Sequence, residues 1–211
     1  MEMINEEGEE SNKSKYKIEY LGEKFSKDLY SNKIIFIGYY GVGKTSIIHK
    51  IMNKVIDEEY APTMSIDVKN LQIKVNDKIF LFQIWDCCGS AKFALNTPIL
   101  FKNTSIGILV YAINDKKSYE ELETWYNLLK EHSFDNIIFL IGNKNDLEEE
   151  RKITMEEGEK FKDNYDDIKM LFETSALKNN NIDKLVDNIA ISIYEKDKKL
   201  ENEEDNALKK Q

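Results

Sequence analysis

The run Gly38-Tyr39-Tyr40-Gly41-Val42-Gly43-Lys44-Thr45 follows the apolar stretch Ile34-Ile35-Phe36-Ile37 and opens into Ser46-Ile47-Ile48-His49-Lys50-Ile51-Met52. The order is strand, glycine-rich loop, helix, and it restricts the chain to folds in which a loop wraps a phosphate. Glycines at 38, 41 and 43 let the backbone come close to a phosphate chain and aim successive N–H groups at it, while the positive end of the following helix favours negative charge. The spacing matches the P-loop pattern. In that pattern Lys44 reaches the outer phosphates, Thr45 gives a hydroxyl to Mg²⁺, and Val42 and Ser46 complete the cradle.

The rest of the chain has the length such a loop needs. At 211 residues there is material for one sizeable core, and the patterned region 32–196 has the size of a single α/β domain. Residues 1–31, rich in Glu, Asn, Lys and Ser, read as a polar and partly disordered extension in which Ile18, Tyr20, Leu21, Phe25, Leu29 and Tyr30 can pack as a short extra segment; 197–211 read as a charged tail. A net charge of −9 opposes a nucleic-acid surface, which needs clustered Lys and Arg. No apolar run approaches a membrane span, and the first residues carry neither a basic nor an apolar signal region. The only cysteines, Cys87 and Cys88, are adjacent, which excludes a disulfide framework and fits a reducing compartment. A cytoplasmic monomer is expected.

Strands and helices alternate along the domain. Residues 68–75 and 78–85 read as strands joined at Asn76-Asp77 in a hairpin, and 106–113, 137–142 and 170–173 as further strands. Helical patterns cover 91–103, 117–132, 155–161 and 182–194, the last with Ile182, Leu185, Ile189 and Ile193 on one face. Near-continuous apolar strands are buried on both faces. The expected architecture is therefore an α/β P-loop NTPase fold: a mostly parallel six-stranded sheet, one antiparallel strand, and helices on both faces. Ligands in such sheets bind beyond the carboxyl ends of the strands.

Those ends carry the remaining chemistry. Asp146, in Gly142-Asn143-Lys144-Asn145-Asp146, can accept hydrogen bonds from both the ring N–H and the exocyclic amine of guanine, a pair that adenine lacks. An ATP-dependent enzyme is disfavoured on that ground. Lys144 is placed over the base plane and Asn143 between loops. In Glu173-Thr174-Ser175-Ala176-Leu177, the Ala176 N–H can reach the guanine carbonyl, flanked by Ser175 and Leu177. Asp86 is placed to hold Mg²⁺ through water and the Gly89 N–H to meet the γ-phosphate. Thr63, in Tyr60-Ala61-Pro62-Thr63, is placed to join the Mg²⁺ shell when a γ-phosphate is present, the ordering step of a switch loop.

Together these residues resemble the Ras-superfamily small GTPases over about residues 33–196, and within them the Rab branch. Trp85-Asp86-x-x-Gly89, Val110-Tyr111, Gly142-Asn143-Lys144-x-Asp146-Leu147 and Glu173-Thr174-Ser175-Ala176 carry the likeness, with Thr63-Met64-Ser65-Ile66-Asp67-Val68-Lys69 as a loose version of the Rab switch signature. The resemblance implies GTP or GDP with Mg²⁺ as cofactors, Lys44, Thr63 and Gly89 as the groups nearest the reacting phosphate, and a role in vesicle traffic. It also implies exchange factor, activator and effector partners at 57–67 and 86–103.

Three departures bear on mechanism. Ser90 replaces the family's water-orienting glutamine and is followed by Ala91; Tyr40 occupies a loop position that is often small, where its ring is expected to crowd the γ-phosphate; and Ile56 stands where an aromatic residue often flanks guanine. Slow hydrolysis is expected, with a silent nucleotide-bound scaffold as the alternative. The final residues, Asn206-Ala207-Leu208-Lys209-Lys210-Gln211, carry none of the prenylated cysteines usual in Rab proteins, so no intrinsic membrane anchor is expected and contact with endomembranes would run through a protein partner. Cys87-Cys88, His49, His132, Trp125 and Tyr126 are assigned to packing or to the surface.

Overall fold

The computed structural model describes residues 15–23, 29, 31–52, 63, 66–90, 94 and 98–208. Its strands are β1 (Ile18–Gly22), β2 (Ser31–Ile37), β3 (Asp67–Val75), β4 (Lys78–Asp86), β5 (Thr104–Ala112), β6 (Ile137–Asn143) and β7 (Ile168–Thr174). The helices are α1 (Lys44–Ile51), α2 (Lys116–Glu120), α3 (Leu122–His132), α4 (Met155–Asp163) and α5 (Ile182–Leu208). One sheet runs in the order β1-β3-β4-β2-β5-β6-β7, and only β3 opposes the common direction.

Side chains of the central strands alternate between two cores. Ile34 and Phe36 of β2, Ile106, Ile108 and Val110 of β5, and Phe139 and Ile141 of β6 meet α1 and α5 through Ile47, Ile48, Leu185 and Ile189. Their neighbours Ile35, Ile37, Leu109, Tyr111, Ile138 and Leu140 meet Leu122, Trp125 and Leu129 of α3 on the opposite face. A strand with an apolar residue at every position is satisfied only when both faces are covered, which is why these three form the middle of the sheet. Strand β2 is followed in the chain by β3 and β4 on one side of it and then by β5 and β6 on the other, so β2 lies at the switch point where ligands of such sheets bind.

The sheet has seven strands, not the six expected, and the seventh comes from the segment read as a polar extension. Its anchor is Tyr16, which is buried among core residues; its hydroxyl donates to Glu195 at 2.6 Å and its ring meets Tyr194 edge-on at 5.8 Å. Lys17 and Asn76 exchange hydrogen bonds at the β3–β4 turn, 2.9 Å from the Lys17 N–H to Asn76 Oδ1 and 2.8 Å from the Asn76 N–H to the Lys17 carbonyl. Tyr16→Ala is expected to cost about 3 kcal/mol and Tyr16→Phe about 1 kcal/mol, read from urea unfolding midpoints. Equal midpoints for wild type and the alanine variant would leave β1 without a role in stability.

Helix α5 continues to Leu208, beyond the expected end at Tyr194 and through most of the segment read as a tail. Its outer part has no apolar face; Lys78 of β4 instead bridges Asp197 and Glu201, and Lys198–Glu201 and Lys199–Glu203 pair along the helix at 3.3 and 4.0 Å. The single helix expected over 117–132 is divided at Glu121, whose φ −82° and ψ −6° interrupt regular geometry, although its N–H still bonds the Lys117 carbonyl at 3.1 Å. Of the helical pattern expected over 91–103, the described residues contain a 3-10 turn at Pro98–Leu100.

Candidate functional site

At the carboxyl edge of the sheet, Phe36 lies beside Asp86, Ala112 beside Asn143, and Asn143 beside Thr174. The loops after β2, β4, β6 and β7 therefore start from one level. Asn143 holds three of them. Its Nδ2 donates to the Val42 carbonyl at 2.8 Å, and its Oδ1 accepts from Thr174 Oγ1 at 3.1 Å and from the Ala176 N–H at 3.3 Å. The contact leaves no room at Gly43, which has φ +94°: a Cβ there would lie 2.3 Å from Asn143 Nδ2. Only glycine combines that backbone angle with that approach.

Gly43 precedes α1, whose first turn has neither a side-chain cap nor an acidic residue. Such a helix start leaves N–H groups and a positive dipole end available for an anion. Lys44, 6% exposed, folds back so that its Nζ donates to the Gly38 carbonyl at 2.9 Å and the Tyr39 carbonyl at 2.8 Å. Burial pushes its pKa down to about 8, with Asp86 offsetting part of that. Thr45 Oγ1 lies between two partners, donating to Asp86 Oδ2 at 2.5 Å and sharing a 2.8 Å hydrogen bond with Thr63 Oγ1. Asp86 is 4% exposed; burial raises its pKa, and its Oδ1 is enclosed with no hydrogen-bond partner among the described residues. A buried carboxylate oxygen without a donor is destabilising unless a cation or water meets it.

Gly89 rests directly on the phosphate loop, since a Cβ there would lie 2.3 Å from Tyr40 N and 2.4 Å from Tyr40 Cα. The Tyr40 ring is 59% exposed and leans on Tyr39, centroids 4.2 Å apart, with Lys117 Nζ 5.0 Å from the Tyr39 ring. Ser90 is exposed. On the other side of the edge, Ser175 Oγ donates to Asp146 Oδ1 at 2.5 Å and accepts from the Lys178 N–H at 2.9 Å. Lys144 has a left-handed backbone, φ 68°. Leu177 is exposed.

A family model described as the Ras family matches residues 33–195. The chain belongs to the Ras family. A Ras-related protein of Dictyostelium discoideum, RabC, is 33% identical over 159 residues, covering 74% of this chain and 80% of that protein. This Ras-family chain is thus a Rab-like small GTPase switch, and Ras-family GTPases bind guanine nucleotide, generally with Mg²⁺. The residues present fit that group: a helix start with no side-chain cap suits a polyphosphate, and Asp86 Oδ1, without a hydrogen-bond partner among the described residues and close to the Thr45 and Thr63 hydroxyls, suits a hard cation.

Sequence reading placed Gly38, Gly41, Val42, Gly43, Lys44, Thr45, Ser46, Thr63, Asp86, Gly89, Asn143, Lys144, Asp146, Ser175, Ala176 and Leu177 at this edge, and the loops that carry them converge there. Ile56, Tyr60, Pro62, Met64, Ser65 and Ala91 lie outside the described residues. The cysteines behave as packing residues: both are buried, and burial pushes the Cys87 thiol up to about 12. His132 stacks on Phe101, and Trp125 fills the second core. Sequence reading did not single out Arg151, whose guanidinium joins Glu148 and Glu173 beside this edge. A signal for it was present, because it is the only arginine in the chain.

Proposed function

We propose that this Rab-like switch works in intracellular vesicle traffic, cycling between GTP and GDP with slow intrinsic hydrolysis. The observation that carries the switch reading is the Thr63–Thr45–Asp86 cluster, which brings a residue of the segment before β3 onto the hydroxyl at the start of α1. In this reading Thr45, Thr63 and Asp86 hold Mg²⁺, which when bound draws charge from the phosphate oxygens. Lys44 and the N–H groups of residues 41–46 hold the phosphates, and Gly89 presents its N–H to the terminal one. Asp146 accepts from the guanine ring N–H and amine, Ala176 donates to its carbonyl, Lys144 covers the base, and Asn143 keeps these loops in register. Segments 57–67 and 86–103 present the nucleotide state to an exchange factor, an activator and effectors. The protein is proposed to act as a monomer in the cytoplasm, reaching endomembranes through a protein partner; among the described residues no helix is long and apolar enough to cross a membrane.

A second reading, a hydrolysis-deficient scaffold with a fixed partner surface, is favoured by Ser90 at the position of the water-orienting glutamine. Two measurements test the base assignment and the switch in turn. Excess ATP is expected to leave bound GDP in place, and amide exchange over 57–67 is expected to slow on replacing GDP with a non-hydrolysable GTP analogue. Displacement by ATP would remove the base assignment. Equal exchange in both forms would support the scaffold.

A further inference from the structure

The chain contains 29 lysines and one arginine, and the arginine occupies a place that lysine cannot fill. Arg151 Nε and Nη2 donate to the two carboxylate oxygens of Glu148, each at 2.7 Å; Nη1 and Nη2 donate to the two of Glu173, each at 2.7 Å; and Nη1 also donates to the Ile153 carbonyl at 2.8 Å. Two bidentate pairs on one head group require a planar fork with several fixed N–H directions, whereas an ammonium is a single point of charge. The site is largely shielded on one side, with the Arg151 and Glu173 side chains 19% and 16% exposed and Glu148 65% exposed.

What the fork joins gives it a role. Glu148 follows Asp146 by two residues, and Glu173 precedes Ser175 by two. The same two segments meet through Ser175 Oγ and Asp146 Oδ1 at 2.5 Å and through the Asn145 N–H and the Thr174 carbonyl at 3.0 Å, while Asn181 Nδ2 holds the Glu173 carbonyl at 2.8 Å from the side of α5. We infer that Arg151 is a positioning residue for base selection, fixing the spacing between the carboxylate of Asp146 and the Ser175-Ala176 backbone. The inference rests on the guanine-site reading above and deepens it. Hydrogen bonds to a charged acceptor weaken steeply with misalignment, so loosening either segment reduces the preference for a base with an exocyclic amine before it affects the phosphate loop, which Arg151 does not touch.

The test compares affinities for GTP and inosine triphosphate, both with Mg²⁺, because inosine lacks the exocyclic amine that Asp146 would accept. Wild type is expected to prefer GTP; Arg151→Ala should cut that preference about tenfold, with Arg151→Lys and the surface variant Glu148→Ala each costing about threefold, the scale of about one hydrogen bond to the base lost or partly misaligned. Single-turnover hydrolysis of loaded GTP should change less than twofold in all three, since the phosphate loop keeps its contacts. A merely structural arginine would lower melting temperature and leave the GTP-to-inosine triphosphate ratio unchanged. If Arg151→Ala does not fold, an unchanged ratio in both Arg151→Lys and Glu148→Ala overturns the inference. A wild type that fails to prefer GTP over ATP removes the guanine reading itself, an outcome distinct from discrimination that survives loss of the arginine.

Discussion

Lys44→Ala is expected to weaken GTP and GDP by about a thousandfold, the loss of two charge-assisted hydrogen bonds at about 2 kcal/mol each. The structure supplies the reason for so large an effect. Lys44 is nearly enclosed, donates only to the neutral carbonyls of Gly38 and Tyr39 among the described residues, and has its proton affinity reduced by burial. A cation in that position is stabilised by an arriving anion. Without nucleotide the same substitution removes a buried charge, so the ligand-free protein should melt at the same temperature or higher. Calorimetric titration with Mg²⁺ and a thermal melt of the free protein measure both sides. Affinity within tenfold of wild type, with a lowered melting temperature, would make Lys44 a packing residue.

Intrinsic GTP hydrolysis is expected to be roughly a hundredfold slower than in relatives with the water-orienting glutamine, the scale of losing one preorganised donor. Gly89 lies against the backbone of Tyr39 and Tyr40, so residue 90 follows directly on a contact with the loop that carries the Tyr40 ring. Ser90→Gln alone should recover only part of the rate, because the glutamine and the ring compete for space. The double variant with Tyr40→Gly should exceed the sum of the single effects in ln k. Single-turnover rates of the four proteins decide between outcomes: fast hydrolysis by wild type would mean another group positions the water, and strict additivity would mean that the exposed Tyr40 ring stays on Tyr39.

The parts of the molecule legible in the sequence were those governed by short spacings. The phosphate loop, the Asp86 and Asn143–Asp146 segments and the central strands each follow from a local pattern in which one residue type admits few structural roles. The missed features depend on distant partners. Nothing within residues 15–22 shows that Tyr16 finds Glu195, and the outer half of α5 has no apolar stripe; its helix is supported by Lys78 on a strand far away in sequence. Arg151 was hidden for a similar reason, since its two carboxylate partners lie 3 and 22 positions away. Rarity of a residue type, rather than periodicity, was the available clue.

The bond between Tyr16 and Glu195 joins residues 179 positions apart. Loop closure becomes costlier with separation, though slowly, and this contact cannot repay that cost until β3 and α5 already stand in place to receive it. Strand β1 is therefore expected to join late in folding, after β3 and α5 have packed with the rest of the sheet, which a φ-value near zero for Tyr16→Phe would bear out and one near one would overturn. A late contact leaves the rate of folding almost untouched and governs the rate of unfolding. On that expectation the N-terminal strand would be a latch on the lifetime of the folded chain, placed at the opposite flank of the sheet from the loops after β6 and β7.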